Sequence, residues 1–300
     1  MSDKATILFV DDEERVLRSL KMLFKTKYNV LITTDGNEAV EMVKKDIVHV
    51  IVSDQRMPIM PGVEVLRLVK EASPNTMRLL LTGYSDWAAM VGSVNEGEVF
   101  RFINKPWDND DIKNIIDQAV EIAISLLGLP QKIEEKDEGS NQPGLLVIDE
   151  DAATFDAVKE IVADKYPLKW GKTLDEAFEI LSNEGIAVVI SEVKIGGEDI
   201  TAPLKTLKQM YPSILTLVLT SFQDTKLLIE LINQGQIYRF MPKPILKKLV
   251  EMSINASMRH YRTCQKTPQL LQRHAVEKPK EDTKISGKIM GYLQKIRQRL

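Results

Sequence analysis

Asp11, Asp12, Asp54, Thr82 and Lys105 are the residues whose types and spacing could do chemistry together. Each lies at or next to the end of an apolar run. Three carboxylates brought close repel one another and at neutral pH need a cation. Hard oxygen ligands with room for water suit Mg2+ or Mn2+. A lysine and a hydroxyl beside a metal-bound carboxylate suit a phosphoryl group, because metal and ammonium neutralise its oxygens and the hydroxyl donates to one of them. The chemistry implied is phosphoryl transfer onto Asp54, with this carboxylate as nucleophile and an acyl phosphate as product.

These groups meet only if the strands carrying them run parallel and end on one edge. Val48, Val50, Ile51 and Val52 form a β-branched run that ends in Ser53-Asp54, and Pro58, Pro61 and Gly62 then break the backbone into a loop. Ala5–Val10 is a similar run ending in Asp11-Asp12-Glu13, and Val16, Leu17, Leu20, Leu23 and Phe24 after it repeat at helical spacing. Strands are expected at Tyr28–Thr34, Met77–Thr82 and Val99–Ile103. Helices are expected at Gly36–Lys45, near Val63–Ala72, near Asp86–Asn95 and at Asp108–Leu127, where Asp108 is the N-cap. Strict β/α alternation implies a parallel sheet covered on both faces, and its strand ends are where such sheets bind ligands. A lone aspartate after a strand is most often a helix cap; the joint spacing of all five groups argues for a site.

The first half resembles a response-regulator receiver domain (CheY-like) of two-component signalling. The residues that carry the likeness are the acidic pair Asp11-Asp12, the run Asp54-Gln55-Arg56-Met57-Pro58-Ile59-Met60-Pro61-Gly62, Thr82-Gly83 and Lys105-Pro106. The resemblance implies Asp54 as phosphoacceptor; Asp11, Asp12, Asp54 and the Arg56 carbonyl on Mg2+; and Thr82 and Lys105 as phosphate contacts. It places Phe102 at the family's switch aromatic. In such domains phosphorylation biases a pre-existing equilibrium in the face built from the fourth helix, fifth strand and fifth helix.

The second half repeats the first. Glu192, Thr220 and Lys243 each lie 138 residues beyond Asp54, Thr82 and Lys105, and Asp149 lies 137 beyond Asp12. A register kept over that length indicates two domains rather than a solenoid. On this alignment Ile148 replaces the first acid and Glu192 replaces the acceptor, so metal binding weakens and the nucleophile is misplaced. The resemblance is to a degenerate pseudo-receiver with Asp149, Glu192, Thr220 and Lys243 as its remnant site: either a dead site kept only for its surfaces, or one in which Glu192 reaches Lys243 as a built-in phosphate mimic.

The expected fold is therefore α/β: two doubly wound, five-stranded parallel-sheet (flavodoxin-like) domains in tandem, with a C-terminal helical tail. The boundaries are 1–127 for the receiver, 128–143 for a linker rich in charge, Gly and Pro, 144–262 for the pseudo-receiver, and 263–300 for a flexible basic tail. The last helix of the second domain spans Ile245–Tyr261, and Thr263–Thr283 is irregular. Ile285, Ile289, Leu293, Ile296 and Leu300 then form a short amphipathic helix, and from Lys266 onward nine Lys/Arg stand against three Asp/Glu.

Composition excludes several classes. One cysteine (Cys264) excludes an internal disulfide framework, and three histidines (His49, His260, His274) argue against a histidine-based metal centre. A net charge of −3 gives the whole chain no strong pull on nucleic acid. The chain carries no apolar run near the ~20 residues of a membrane span, and it reads as cytoplasmic. The expected partners are a sensor histidine kinase or a small phosphodonor, and an unidentified protein or a second copy that reads the phosphorylated form. The end of the Ile112, Ile116, Ala119, Ala123, Leu126 stripe is a possible contact. Catalysis is limited to self-phosphorylation and slow self-hydrolysis, and the bulk of Arg56 and Tyr84 on the water's route suggests a long-lived phosphate. One alternative is the regulatory part of a longer cyclic-dinucleotide or other output enzyme. Another is a metal-dependent aspartyl-phosphate hydrolase, against which stands Arg56 where such enzymes carry a second acid.

Overall fold

A computed structural model describes residues 4–83, 91–92, 95–96, 98–127, 142–163, 165–221, 224–235 and 237–274. The expected helix at Asp86–Asn95, Tyr84, the linker and the amphipathic tail helix fall wholly or largely outside the described residues. The chain divides into two compact units. One comprises residues 1–135 with Asp224–Asn233, and the other comprises 136–223 with 234–300.

The first unit holds β1 (Thr6–Val10), α1 (Glu14–Phe24), β2 (Asn29–Thr33), α2 (Gly36–Lys45), β3 (Val50–Asp54), α3 (Gly62–Ala72), β4 (Met77–Thr82), β5 (Arg101–Asn104) and α4 (Asn109–Ser125). Its five strands are all parallel in the order β2-β1-β3-β4-β5. Ile7–Val10, Val50–Val52 and Leu79–Leu81 are fully buried. These unbroken apolar runs sit inside because helices cover both faces of a parallel sheet, so no strand can alternate apolar with polar. As expected, Asp108 caps α4: its side chain accepts from the N–H groups of Asp110 and Asp111, and those bonds hold its carboxyl below the usual range. The stripe Ile112, Ile116, Ala119, Ala123 and Leu126 is buried to its last residue, so its end is core rather than free surface.

The second unit holds β6 (Gly144–Ile148), α5 (Ala152–Val162), β7 (Leu168–Gly171), α6 (Leu174–Asn183), β8 (Ile186–Ser191), a β9–β10 hairpin (Lys194–Ile195, Glu198–Asp199), α7 (Thr201–Met210), β11 (Leu215–Thr220), β12 (Arg239–Pro242) and α9 (Lys247–Lys266). Between β11 and β12 along the chain runs α8 (Thr225–Glu230), extended by a wider turn over Leu231–Gly235; its residues Asp224–Asn233 group with the first unit. The main sheet is again parallel, and its order β7-β6-β8-β11-β12 repeats that of the first sheet.

The structure departs from the expected elements in two places. The last helix does not stop at Tyr261: α9 continues to Lys266 and a 3-10 turn follows to His274, because nothing breaks the helix before Pro268 and Cys264 is buried. The Gly196-Gly197 pair, both at positive φ, builds a tight hairpin that was not expected.

Lys208 on α7 is a buried cation that the sequence did not flag. Its ammonium donates to the carbonyls of Pro212 (2.8 Å) and Ile214 (2.6 Å). Burial pushes its pKa down to about 8. A base whose folded pKa is depressed is a cost while charged. Stability is therefore lower below about pH 8 and rises from there toward the ordinary lysine range, by roughly 3 kcal/mol in full. Lys208→Met is expected to remove this slope. Urea unfolding of both proteins between pH 7.5 and 10.5 checks it, and parallel curves would refute the assignment.

Candidate functional site

The carboxyl ends of the first sheet's strands converge as their parallel order demands. Asp11 follows β1 and is fully buried; Asp54 ends β3; Thr82 ends β4; Lys105 follows β5. The Lys105 ammonium lies between the two acids, 2.8 Å from Asp11 Oδ2 and 2.5 Å from Asp54 Oδ1. The other carboxylate oxygens are held by main chain: Asp11 Oδ1 accepts from the Glu13 N–H (2.9 Å), and Asp54 Oδ2 accepts from the Arg56 N–H (2.8 Å). The Lys105 N–H donates to the Thr82 carbonyl (2.9 Å), which ties β5 to β4 beside the site.

Charge in the site is unbalanced. Burial raises the Asp11 carboxyl above its usual range, although Lys105 and the Glu13 N–H work the other way. Burial also draws the Lys105 ammonium down, but its bonds to Asp11 and Asp54 outweigh this and its pKa ends up raised. Both shifts favour a bound proton, as expected where two buried carboxylates share one ammonium. The oxygen donors fit a hard divalent cation in chemistry and in charge.

Two of the expected groups are placed differently. The Asp12 side chain is exposed to solvent, and among the described residues no group of three or more acids, histidines or cysteines is gathered for a metal. The Thr82 hydroxyl, though buried, donates to the Gly83 carbonyl (2.9 Å) rather than to Asp54. Phe102 is buried in β5.

Gln55 and Gly62 carry the loop after Asp54, and sequence reasoning undervalued both. Gln55 donates its N–H to the Leu81 carbonyl (2.9 Å). Its own carbonyl accepts from the Gly62 N–H (3.1 Å) and its side-chain oxygen from the Val63 N–H (3.2 Å). These bonds fold the loop back so closely that a Cβ on Gly62 would lie 2.1 Å from the Asp54 carbonyl oxygen. The signal was present as a glycine opening a helix directly after the acid loop.

The second unit builds a parallel constellation. The Lys243 ammonium lies 2.8 Å from Asp149 Oδ2 and 2.8 Å from Glu192 Oε2, and the Lys243 N–H donates to the Thr220 carbonyl (2.8 Å). Glu192 Oε1 accepts from the Val193 N–H (2.9 Å). Asp149 occupies the place of Asp11, not Asp12: its Oδ1 accepts from the N–H two residues on, at Asp151, as Asp11 does from Glu13. The spacing is therefore 138 here as well, and the first acid is not lost to Ile148. Glu150 stands at the Asp12 position, and its carboxylate accepts from the Gly196 N–H (2.9 Å) in the β9–β10 turn.

Residues 7–117 match the family model described as the response regulator receiver domain. The chain is 34% identical over 122 residues to the hydrogenase transcriptional regulatory protein HoxA of Bradyrhizobium diazoefficiens, which covers 41% of this chain and 25% of that protein. It is 39% identical over 122 residues to HoxA of Cupriavidus necator, covering 40% and 25%. It therefore spans about a quarter of the length of these relatives. Among solved structures it resembles the signal receiver domain of an HD domain-containing protein from Pseudomonas fluorescens, at 30% identity over 42% of this chain and 93% of that one, with a TM-score of 0.40. With its parallel sheet and its acid–lysine site in place, the segment 7–117 is a receiver domain of the two-component response regulator family.

Proposed function

We propose that the chain is a response regulator phosphorylated on Asp54 by a sensor histidine kinase or a small phosphodonor. The observation that carries the reading is the Lys105 ammonium set between buried Asp11 and Asp54. An oxygen of the Asp54 carboxylate attacks phosphorus as the bond from phosphorus to the donor's nitrogen or oxygen breaks, and the donor leaves with that electron pair. Lys105 neutralises charge on the transferred oxygens. The Thr82 hydroxyl, once turned from the Gly83 carbonyl, donates to one of them. Positioning and charge neutralisation of this kind carry most of the catalysis in phosphoryl transfer. Asp11, Asp12, Asp54 and the Arg56 carbonyl would hold Mg2+, which supplies further neutralisation of the phosphoryl oxygens when bound.

The second unit we read as a degenerate receiver that takes no phosphoryl group. It keeps the lysine and the first acid, but Glu192 carries one more methylene than Asp54, which displaces the carboxylate that would act as nucleophile. Glu192 meets Lys243 at 2.8 Å where Asp54 meets Lys105 at 2.5 Å, so Glu192 reproduces the resting acid–lysine pair. Output passes through protein contacts. The relatives' names speak of transcriptional regulation for those proteins, and a transcriptional output is the second reading here. Among the described residues no helix is long and apolar enough to cross a membrane.

Incubation of the intact protein with a phosphorylated histidine kinase or a small acyl phosphate and Mg2+ tests this, with mass spectrometry counting phosphoryl groups. One equivalent is expected, and none with Asp54→Ala. Uptake that survives Asp54→Ala, or two equivalents in the wild type, would overturn the assignment of one live and one dead site.

A further inference from the structure

β5 is the outer strand of its sheet. The Lys105 N–H points inward to Thr82, and main-chain groups along a strand turn to alternate sides with period two. Phe102, three residues earlier, therefore turns its N–H and C=O away from β4. Outward groups on an edge strand are a template for whatever chain offers complementary ones. Here the complement is the Asn233 carboxamide. Its Oδ1 accepts from the Phe102 N–H at 2.9 Å, and its Nδ2 donates to the Phe102 carbonyl at 2.9 Å. A carboxamide offers one acceptor and one donor side by side; aspartate would offer no donor and leucine neither group. The segment Asp224–Asn233 that carries it counts with this unit, and its Leu228, Ile229, Leu231 and Ile232 are buried.

Phe102 lies in β5 and Lys105 follows directly on its end, roughly 10 Å away at strand rise. A phosphoryl group on Asp54 changes what the Lys105 ammonium holds and pulls on that strand's end. The paired bonds to Asn233 both sit at optimal length, so a shift of β5 in any direction weakens them. We infer that the outward edge of β5 is a docking strip whose resident occupant is the Asp224–Asn233 segment of the same chain, clamped by Asn233, and that loading Asp54 loosens the clamp. The loosening rests on the reading of Asp54 as phosphoacceptor; the docking does not.

Site-resolved amide hydrogen exchange on the full chain tests both parts. The Phe102 amide is expected to be protected in the wild type and to exchange at least tenfold faster in Asn233→Ala, with the Leu80 amide unchanged as the check on folding. Asn233→Asp, which keeps the acceptor and loses the donor, should fall between. Beryllofluoride with Mg2+ should speed Phe102 exchange at least threefold in the wild type and not in Asp54→Ala, with 19F resonances of the bound fluorides reporting occupancy. Equal Phe102 exchange in wild type and Asn233→Ala would overturn the docking. Bound fluoride with no change at Phe102 would overturn the coupling. Absence of bound fluoride would instead strike the phosphoacceptor reading, and the coupling with it, while the Asn233 variants still decide the docking.

Discussion

Lys105→Met is expected to destabilise the first unit by about 3 kcal/mol when no divalent cation is present. Removing one partner of a buried ion pair strands the other, which costs more than the pair itself contributes. Here two partners are stranded. Asp11 and Asp54 have almost no exposed side-chain surface, whereas Lys105 is about one-quarter exposed, so the loss falls on the acids. Methionine keeps most of the apolar stem and isolates the effect of charge. Urea unfolding at neutral pH measures it, and millimolar Mg2+ is expected to restore part of the loss by supplying the missing positive charge. Asp54→Asn removes one stranded acid, so the double variant should cost clearly less than the sum of the singles. A loss under about 1 kcal/mol, or strict additivity, would mean that Lys105 is a solvated lysine and not the counter-charge of the site.

Gly62→Ala is expected to damage both stability and the site. The added methyl carbon would stand 2.1 Å from the Asp54 carbonyl oxygen and 2.8 Å from its carbon. Those atoms are main chain of a strand paired on both sides, with β1 and β4, and cannot step aside as a side-chain tip could. Either α3 moves outward or the end of β3 bends, at a cost of about 3 kcal/mol. Bending displaces Asp54 itself, and a misplacement of about 1 Å costs on the order of a hundredfold in rate. Phosphoryl uptake by Gly62→Ala should therefore fall far below that of Gly92→Ala, whose nearest neighbour would be 3.8 Å away. Equal stability and uptake in the two variants would show that the loop relaxes freely.

Much of this fold is legible along the chain because its signals are local. Unbroken apolar runs at Ile7–Val10, Val50–Val52 and Leu79–Leu81 mark strands buried on both faces, and the stripe on α4 marks its inner side. Parallel strands end on one edge, so Asp11, Asp54, Thr82 and Lys105 could be placed together from order alone, and the repeat could be read from a constant offset. The rest depended on contacts between residues far apart in sequence. The alignment of Asp149 with Asp12 followed from similar neighbours, whereas its true counterpart, Asp11, is defined by which N–H its oxygen accepts and which lysine it meets. The direction of the Thr82 hydroxyl and the exposure of Asp12 are side-chain choices set by surrounding atoms. Lys208 reads as an ordinary surface lysine of an amphipathic helix until the carbonyls of Pro212 and Ile214 close over it. Asn233 carries no local mark at all, because its place against Phe102 is set by packing across 131 residues of chain. Local periodicity decided which elements form and where their reactive ends lie; only the tertiary structure decided which donor meets which acceptor, since that depends on distances no stretch of sequence encodes by itself.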